Sequence, residues 1–133
     1  MSLEISADIK NLERVSDFIS AAMEHLDGTQ NAEDDLFAVR LSVHEVCVNI
    51  IKHAYQGAPG MIKISTTLNP DNKRLQIDLF DNGAPARLEH VIPPNLDEPQ
   101  IKGYGLFLIQ HLMDSVDYFR ETGANHWRLV KGF

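Results

Sequence analysis

The sequence predicts an α+β two-layer sandwich, with helices on one face of a mixed, mostly antiparallel sheet. The predicted elements run in the order β-α-α-β-β-loop-α-β-β, which places antiparallel hairpins beside long amphipathic helices. A doubly wound parallel fold would instead alternate strands and helices regularly. The chain has 133 residues, of which 44% are hydrophobic, and contains no internal repeat and no linker-like stretch. We therefore expect a single domain over residues 1–133.

The first strand and helix follow from the spacing of apolar residues. Leu3 and Ile5 alternate with polar neighbours, which is typical of a strand. Asp8 can cap a helix whose apolar side chains recur at helical spacing as far as Met23, and Gly28 is expected to end it.

The second helix is predicted to be the longest element. It begins after Asn31 and ends near Tyr55, because residues 56–60 contain two glycines and a proline. Its core-facing arc is predicted to comprise Leu36, Val39, Val43, Cys47, Ile50 and Ala54.

The second half of the chain contains two predicted hairpins. Residues 61–68 and 75–80 read as strands joined by the turn composition of residues 69–72. Residues 116–120 and 126–130 read as a closing hairpin around residues 121–124, and residues 103–114 as a helix before it. The intervening residues 81–102 form a loop longer than compact domains usually tolerate, which predicts a functional lid.

Charge and composition exclude several classes of protein. Nineteen acidic and twelve basic residues give a net charge of -7, the wrong sign for direct binding of nucleic-acid phosphates. No apolar run approaches the ~18 residues that a bilayer crossing requires. The N-terminus lacks a secretion signal, and the lone Cys47 fits a reducing compartment. We expect a cytoplasmic protein that binds neither membranes nor nucleic acid directly.

One face of the second helix is rich in polar side chains. On a wheel of ~100° per residue, Glu45, Asn49 and His53 share one sector, which Ser42 and Lys52 join. Taken singly, these residues are more typical of the solvated side of an amphipathic helix than of a binding site.

Zinc and thiol chemistry fit this helix poorly. A zinc-protease helix would need a second histidine four residues after His44, and that position is Val48. His44 points about 100° away from Glu45. Cys47 lies on the apolar arc and is interpreted as a core residue rather than a nucleophile.

Two glycine-containing segments point to a nucleotide. Asp81 follows a buried strand, where its carboxylate can accept a hydrogen bond from an exocyclic base amine, and Gly83 lets a planar ligand approach the backbone. The alternative is an ordinary Asp-Asn-Gly turn. Gly103 and Gly105 open a helix, where free backbone N–H groups favour phosphate. Leu108 occupies the third glycine position of a dinucleotide-binding motif, and no P-loop sequence occurs.

In combination these segments resemble the Bergerat fold of the histidine-kinase-like ATPase superfamily, and most closely its anti-sigma factor serine/threonine kinase branch. The resemblance extends from the first strand to Leu129. Three boxes carry it: Glu45-x3-Asn49-x3-His53, Asp81-x-Gly83-x-Pro85 and Gly103-x-Gly105-Leu106.

The resemblance implies an ATP site with Mg²⁺ and assigns a role to each box. It implies that Asn49 binds Mg²⁺ and that Glu45 is the catalytic general base. It further implies that the nucleotide is bound by Asn49, His53, Asp81, Gly83, Lys102, Gly103, Gly105 and Leu106. Mg²⁺ prefers oxygen ligands and keeps several waters, so one amide oxygen together with phosphate oxygens can suffice. Lys52 and Lys102 can make the site locally positive despite the net charge.

Function is also implied by the resemblance. The chain is expected to be an anti-sigma factor that phosphorylates an anti-anti-sigma (STAS) protein and binds a sigma factor, with a homodimer possible. A nucleotide-gated binding module without kinase activity is the alternative. The catalytic domain of a histidine kinase ranks last, because no phosphoacceptor helix pair precedes it here.

Two segments depart from the family pattern. Family members commonly have a Gly-Thr pair entering the last strand, near the adenine. Residues 124–127 here read Ala-Asn-His-Trp, so Asn125 or His126 is the candidate replacement. The lid at residues 87–101 matches no family role, and Arg87 is interpreted as a solvated charge rather than a phosphate contact.

Overall fold

The computed structural model describes residues 1–24, 32–69, 71, 73–86 and 104–133. Helices and a sheet form an α+β sandwich, which confirms the predicted fold class. The elements are β1 (Ser2–Ser6), a 3₁₀ turn (Ile9–Asn11), α1 (Leu12–Ala22), α2 (Ala32–Asn49), a π-helical turn (Ile50–Ala54), β2 (Met61–Asn69), β3 (Arg74–Asp81), α3 (Tyr104–Leu112), β4 (Ser115–Glu121) and β5 (Ala124–Gly132).

The sheet of the described residues has the strand order β1-β2-β3-β5-β4, and its four pairings are all antiparallel. The expectation of a mixed sheet is therefore wrong in this detail. The helices after β1 return the chain to the end where β1 finished, so that Ser6 pairs with Met61. β4 forms the edge of the sheet, and β5 then runs back between β4 and β3 and pairs with both. Each neighbour is thus reached after a reversal of direction.

The core lies between the helices and one face of the sheet. Along β3, the alternate residues Leu75, Ile77 and Leu79 are fully buried in the same cluster as apolar side chains of all three helices. Leu79 pairs with Trp127 of β5, which is also in the core. The register continues this face to the end of β3, where Asp81 pairs with Asn125. Both polar residues therefore lie on the helix-covered side of the sheet.

Local geometry differs from the prediction at two helix ends. Asp8 accepts a hydrogen bond from the backbone N–H of Lys10, but it caps a 3₁₀ turn rather than the α-helix itself. The second helix ends as the π-helical turn, and Gln56 (φ 53°) and Gly57 (φ 80°) then reverse the chain. A wheel of 100° per residue does not continue past Asn49, because a π turn is wider.

No helix in the described ranges is both long and apolar enough to cross a membrane. The predicted helix end at Gly28 and the lid at residues 87–101 lie outside the described residues.

Candidate functional site

A cavity of about 800 Å³ opens beside the π-helical turn, at the end of β3. Small-molecule sites commonly enclose ~300–1,000 Å³. Its walls combine apolar and polar side chains in nearly equal number. The lining residues are Asn49, Ile50, Lys52, His53, Ala54, Gln56, Asp81, Ala84, Pro85, Ala86, Leu106, Asn125 and Trp127.

The Asp81 carboxylate is the buried acceptor of this cavity. The residue is only 2% exposed. Its Oδ1 accepts hydrogen bonds from the backbone N–H of Gly83 (2.9 Å) and from Nδ2 of Asn125 (2.8 Å). Among the described residues, its Oδ2 is the buried side-chain oxygen that has no hydrogen-bond partner. Leaving such an atom unpaired is costly, so this oxygen is suited to accept a hydrogen bond from a ligand.

Gly83 has a packing role in addition to any role in binding. A Cβ atom at this position would lie 2.6 Å from the backbone carbonyl of Ala54, and the N–H of Ala84 donates to that carbonyl at 2.8 Å. The loop after β3 therefore rests directly on the end of the π-helical turn. On the side where a side chain would project from Gly83, the backbone of Ala54 fills the space, so this packing requires a glycine.

The two candidates for the Gly-Thr position lie on opposite faces of the sheet. Asn125 faces the cavity and bonds Asp81, whereas His126 stacks on Phe80 and bonds Asp78 on the far face. Successive residues of a strand point to opposite sides, so His126 cannot replace a residue that faces the cavity.

Glu45 lies against the start of α3. A Cβ atom on Gly105 would collide with the Glu45 carboxylate, so the absence of a side chain lets α3 approach α2 at this point. Glu45 is half-buried. Two of the predicted boxes, far apart in sequence, thus meet through this pair.

The remaining predicted residues divide into three groups. Asn49, His53 and Leu106 line the cavity, as does Lys52. Ser42, which was expected on the polar face, is fully buried, and its hydroxyl donates to the carbonyl of Ala38 at 2.7 Å. Ser42 can be buried because its hydroxyl forms a hydrogen bond within its own helix and so is not left unpaired. Lys102 and Gly103 lie outside the described residues.

The structure places Cys47 in the core and His44 at the surface, as the sequence predicted. Cys47 is fully buried, and burial raises the pKa of its thiol to about 12, which keeps it protonated and unreactive. His44 is exposed. In the described ranges, no group of three or more His, Cys, Asp or Glu side chains could hold a metal ion by itself.

Sequence reasoning missed several residues around the cavity. Trp127 and Gln56 line it, while Tyr118 and Arg120 reach it through hydrogen bonds to Asn125. The two-residue period of β5 carried a usable signal, because Trp127 must share a face with Asn125. Tyr118 and Arg120 gave no such signal, since their positions depend on the register of β4 against β5.

Comparison with known proteins places this geometry in a family. The sequence profile of the histidine kinase-like ATPase domain matches residues 5–131. A serine/threonine-protein kinase, BtrW, of Bordetella bronchiseptica is 33% identical over 99 residues, which is 71% of this chain and 68% of that protein. The serine-protein kinase RsbW of Bacillus mycoides is 33% identical over 100 residues, covering 69% of this chain and 61% of that protein. The chain thus matches about two thirds of the length of these curated relatives.

Solved structures show the same fold at lower sequence identity. The RsbU and RsbW domains of a Mycobacterium tuberculosis protein match 99% of this chain and 32% of that chain, with a TM-score of 0.69 and 15% identity. The histidine kinase domain of a blue-light activated kinase from Erythrobacter litoralis covers 92% of this chain and 59% of its own, with a TM-score of 0.57 and 16% identity. The predicted resemblance is confirmed, and the chain belongs to the histidine kinase-like ATPase domain family.

Proposed function

We propose that this chain is an ATP-dependent serine/threonine protein kinase that acts as an anti-sigma factor and phosphorylates an anti-anti-sigma partner of the STAS type. The observation that carries the proposal is the buried Asp81 carboxylate, whose Oδ2 has no partner among the described residues at the wall of a nucleotide-sized cavity. The names of the relatives, serine-protein kinase and serine/threonine-protein kinase, support the reaction class.

Asp81 is suited to select the base. Its free oxygen can only accept a hydrogen bond, and the exocyclic amine of adenine can donate one. Trp127 and Leu106 provide apolar walls in the same cavity, against which a planar base can pack. The charged phosphates would then lie at the polar part of the cavity wall, near Lys52 and His53.

Asn49 is suited to hold the metal ion that accompanies the nucleotide. It is half-buried, lines the cavity and offers an amide oxygen, a ligand type that Mg²⁺ accepts. When bound, Mg²⁺ neutralises charge on the phosphate oxygens.

Glu45 is suited to act as the general base. It lies one helical turn before Asn49 on α2, and its carboxylate rests beside Gly105 at the start of α3. In this role Glu45 would accept the proton of the substrate hydroxyl as that oxygen attacks the γ-phosphorus, while the bond from the γ-phosphorus to the β–γ bridging oxygen breaks and ADP leaves. The packing against Gly105 restricts where the carboxylate can lie and so orients it.

A transfer assay with labelled ATP and a STAS protein encoded near this gene tests the proposal. Glu45→Gln keeps the shape of the side chain and is expected to slow phosphoryl transfer by about 10²–10⁴-fold, with ATP affinity changed less than about twofold. Glu33→Gln is the matched control, because Glu33 is an exposed glutamate in the first turn of the same helix. It is expected to leave both quantities unchanged.

Two results would overturn the proposal. If the parent chain fails to bind ATP, the nucleotide site is wrong. If the parent binds ATP and the STAS protein but transfers no phosphate, the chain is a nucleotide-gated binding module instead.

A further inference from the structure

We infer that Asn125 is a positioning residue that orients the Asp81 carboxylate and thereby determines the preference for a base that carries a 6-amino group. The inference rests on the proposed nucleotide site. Asn125 is a candidate replacement for the Gly-Thr pair that family members commonly have at the start of the last strand. It begins from the hydrogen bonds of Asn125, which is 1% exposed.

Every hydrogen-bonding position of the Asn125 amide is used within the protein. Its Nδ2 donates to Oδ1 of Asp81 and to the carbonyl of Ala84, each at 2.8 Å. Its Oδ1 accepts from the Tyr118 hydroxyl and from Nη1 of Arg120, the latter at 3.0 Å. An asparagine amide has two N–H donors and one oxygen with two lone pairs. Asn125 therefore has no capacity left for a ligand, and it acts through Asp81.

The orientation of this amide follows from its partners. A guanidinium can only donate, so the oxygen of Asn125 must face Arg120. The amide nitrogen is then directed at Asp81. The hydrogen bond from Arg120 therefore ensures that the amide nitrogen of Asn125, and not its oxygen, faces the Asp81 carboxylate.

This arrangement divides the Asp81 carboxylate into two different oxygens. Oδ1 receives two hydrogen bonds, from Asn125 and from the backbone of Gly83, whereas no described residue bonds Oδ2. Rotation of the carboxylate would break both bonds to Oδ1. The position of the oxygen that is available to a ligand is consequently fixed.

The same hairpin also holds the loop that follows Asp81. The Tyr118 hydroxyl accepts from the N–H of Ala86 at 2.9 Å, and Arg120 donates to the carbonyl of Gly83 at 2.7 Å. The β4–β5 hairpin thus positions both the carboxylate and the backbone that forms the adjoining cavity wall. Selectivity for the base is therefore set partly by residues that do not touch it.

Measuring the affinities of ATP and of purine riboside triphosphate, which has hydrogen in place of the 6-amino group, tests this inference. The parent is expected to prefer ATP, because only ATP can donate to Oδ2. Asn125→Ala frees the carboxylate to turn, and is expected to weaken ATP binding about tenfold with little change for the analogue. The preference for ATP should therefore fall by about tenfold in that variant.

Two tyrosine variants provide a matched pair, and the first of them carries the test if Asn125→Ala does not fold. Tyr118→Phe removes the hydroxyl that joins Ala86 to Asn125, and is expected to lower the preference for ATP by about threefold. Tyr55→Phe removes a hydroxyl that accepts from the N–H of Asn82 and donates to Met61, in the same loop region but without a bond to Asn125. It should leave the preference unchanged.

The outcomes separate this inference from the proposed function. A parent chain that binds ATP no better than the analogue overturns the adenine site and this inference together. A parent that prefers ATP, combined with variants that weaken both nucleotides equally, overturns only the inference and makes the hairpin a structural support. A selective loss for ATP in Asn125→Ala and Tyr118→Phe, but not in Tyr55→Phe, supports it.

Discussion

Two aspartates on β3 lie three residues apart and show how the same buried group can serve different purposes. Asp78 is 8% exposed and Asp81 is 2% exposed. An odd separation along a strand places them on opposite faces, so Asp78 lies on the sheet face away from the helices and Asp81 lies under the helices. Burial alone does not distinguish them, but their hydrogen bonds do.

Asp78 is fully satisfied by protein groups. Its Oδ1 accepts from Nε2 of His126 (2.6 Å) and from Nε of Arg128 (2.9 Å), and its Oδ2 accepts from the Gln76 amide (2.9 Å). Burial raises the pKa of Asp78, but the hydrogen bonds from Gln76, His126 and Arg128 and the charge of Arg128 outweigh that effect and hold the pKa below its ordinary value. Such a carboxylate stabilises the sheet.

Asp81 has hydrogen bonds to only one of its two oxygens among the described residues. The protein fixes that oxygen and leaves the other facing a cavity. Under the proposed function, the satisfied carboxylate of Asp78 contributes to stability, whereas the half-satisfied carboxylate of Asp81 is available to a ligand. Exchanging each aspartate for asparagine tests this distinction.

The largest expected effect is on ATP binding. Asp81→Asn places an amide where the carboxylate was, and because Asn125 and Gly83 both donate, the amide oxygen faces them and its NH₂ faces the cavity. Two donors would then meet at the base, so we expect ATP affinity to fall by about 100-fold or more. Calorimetric titration measures this, with Asp78→Asn as the control that binds ATP like the parent. Equal affinities for the two variants would contradict the comparison.

A smaller effect is expected on stability, and here Asp78→Asn rather than Asp81→Asn should be the damaging substitution. Asp78→Asn removes the charge from hydrogen bonds that Arg128 and His126 donate, and should lower the free energy of unfolding by about 1–2 kcal/mol. Asp81→Asn should leave stability unchanged or raise it, because an unpaired neutral NH₂ group costs less free energy to bury than an unpaired carboxylate oxygen. Urea denaturation of the two variants and the parent, without nucleotide, measures the difference. A larger stability loss for Asp81→Asn than for Asp78→Asn would invalidate the distinction.

The periodicity of apolar residues was sufficient to predict the fold. Leu75, Ile77 and Leu79 alternate along β3 and define the buried face, and the turn composition between strands defines the hairpins. The side chains of Asp81 and Asn49 were also accessible to prediction, because a strand end and one helix face place them without knowledge of distant contacts. These are local properties of the chain.

Properties that depend on register or on helix type were not accessible. The bonds from Tyr118 and Arg120 to Asn125 arise only once β4 and β5 are aligned, and nothing in the sequence near residue 118 indicates them. Asp78 looked like part of a buried strand, and two of its three hydrogen-bond partners come from β5, about fifty residues later. The π-helical turn after Asn49 also escaped prediction, because its sequence retains the apolar pattern of an ordinary helix.

The smallest expected effect concerns pH. The pKa of Asp78 is lowered in the folded protein, so its ionised form is favoured by folding, and its contribution to stability is complete above the ordinary aspartate pKa of about 3.9. That contribution is lost as the pH falls through the lowered pKa of the folded state. The difference in unfolding free energy between the parent and Asp78→Asn should therefore shrink as the pH falls below about 4. Urea denaturation across this range measures it, and a difference that stays constant down to about pH 3 would show that Asp78 stabilises the sheet by its shape and not by its charge.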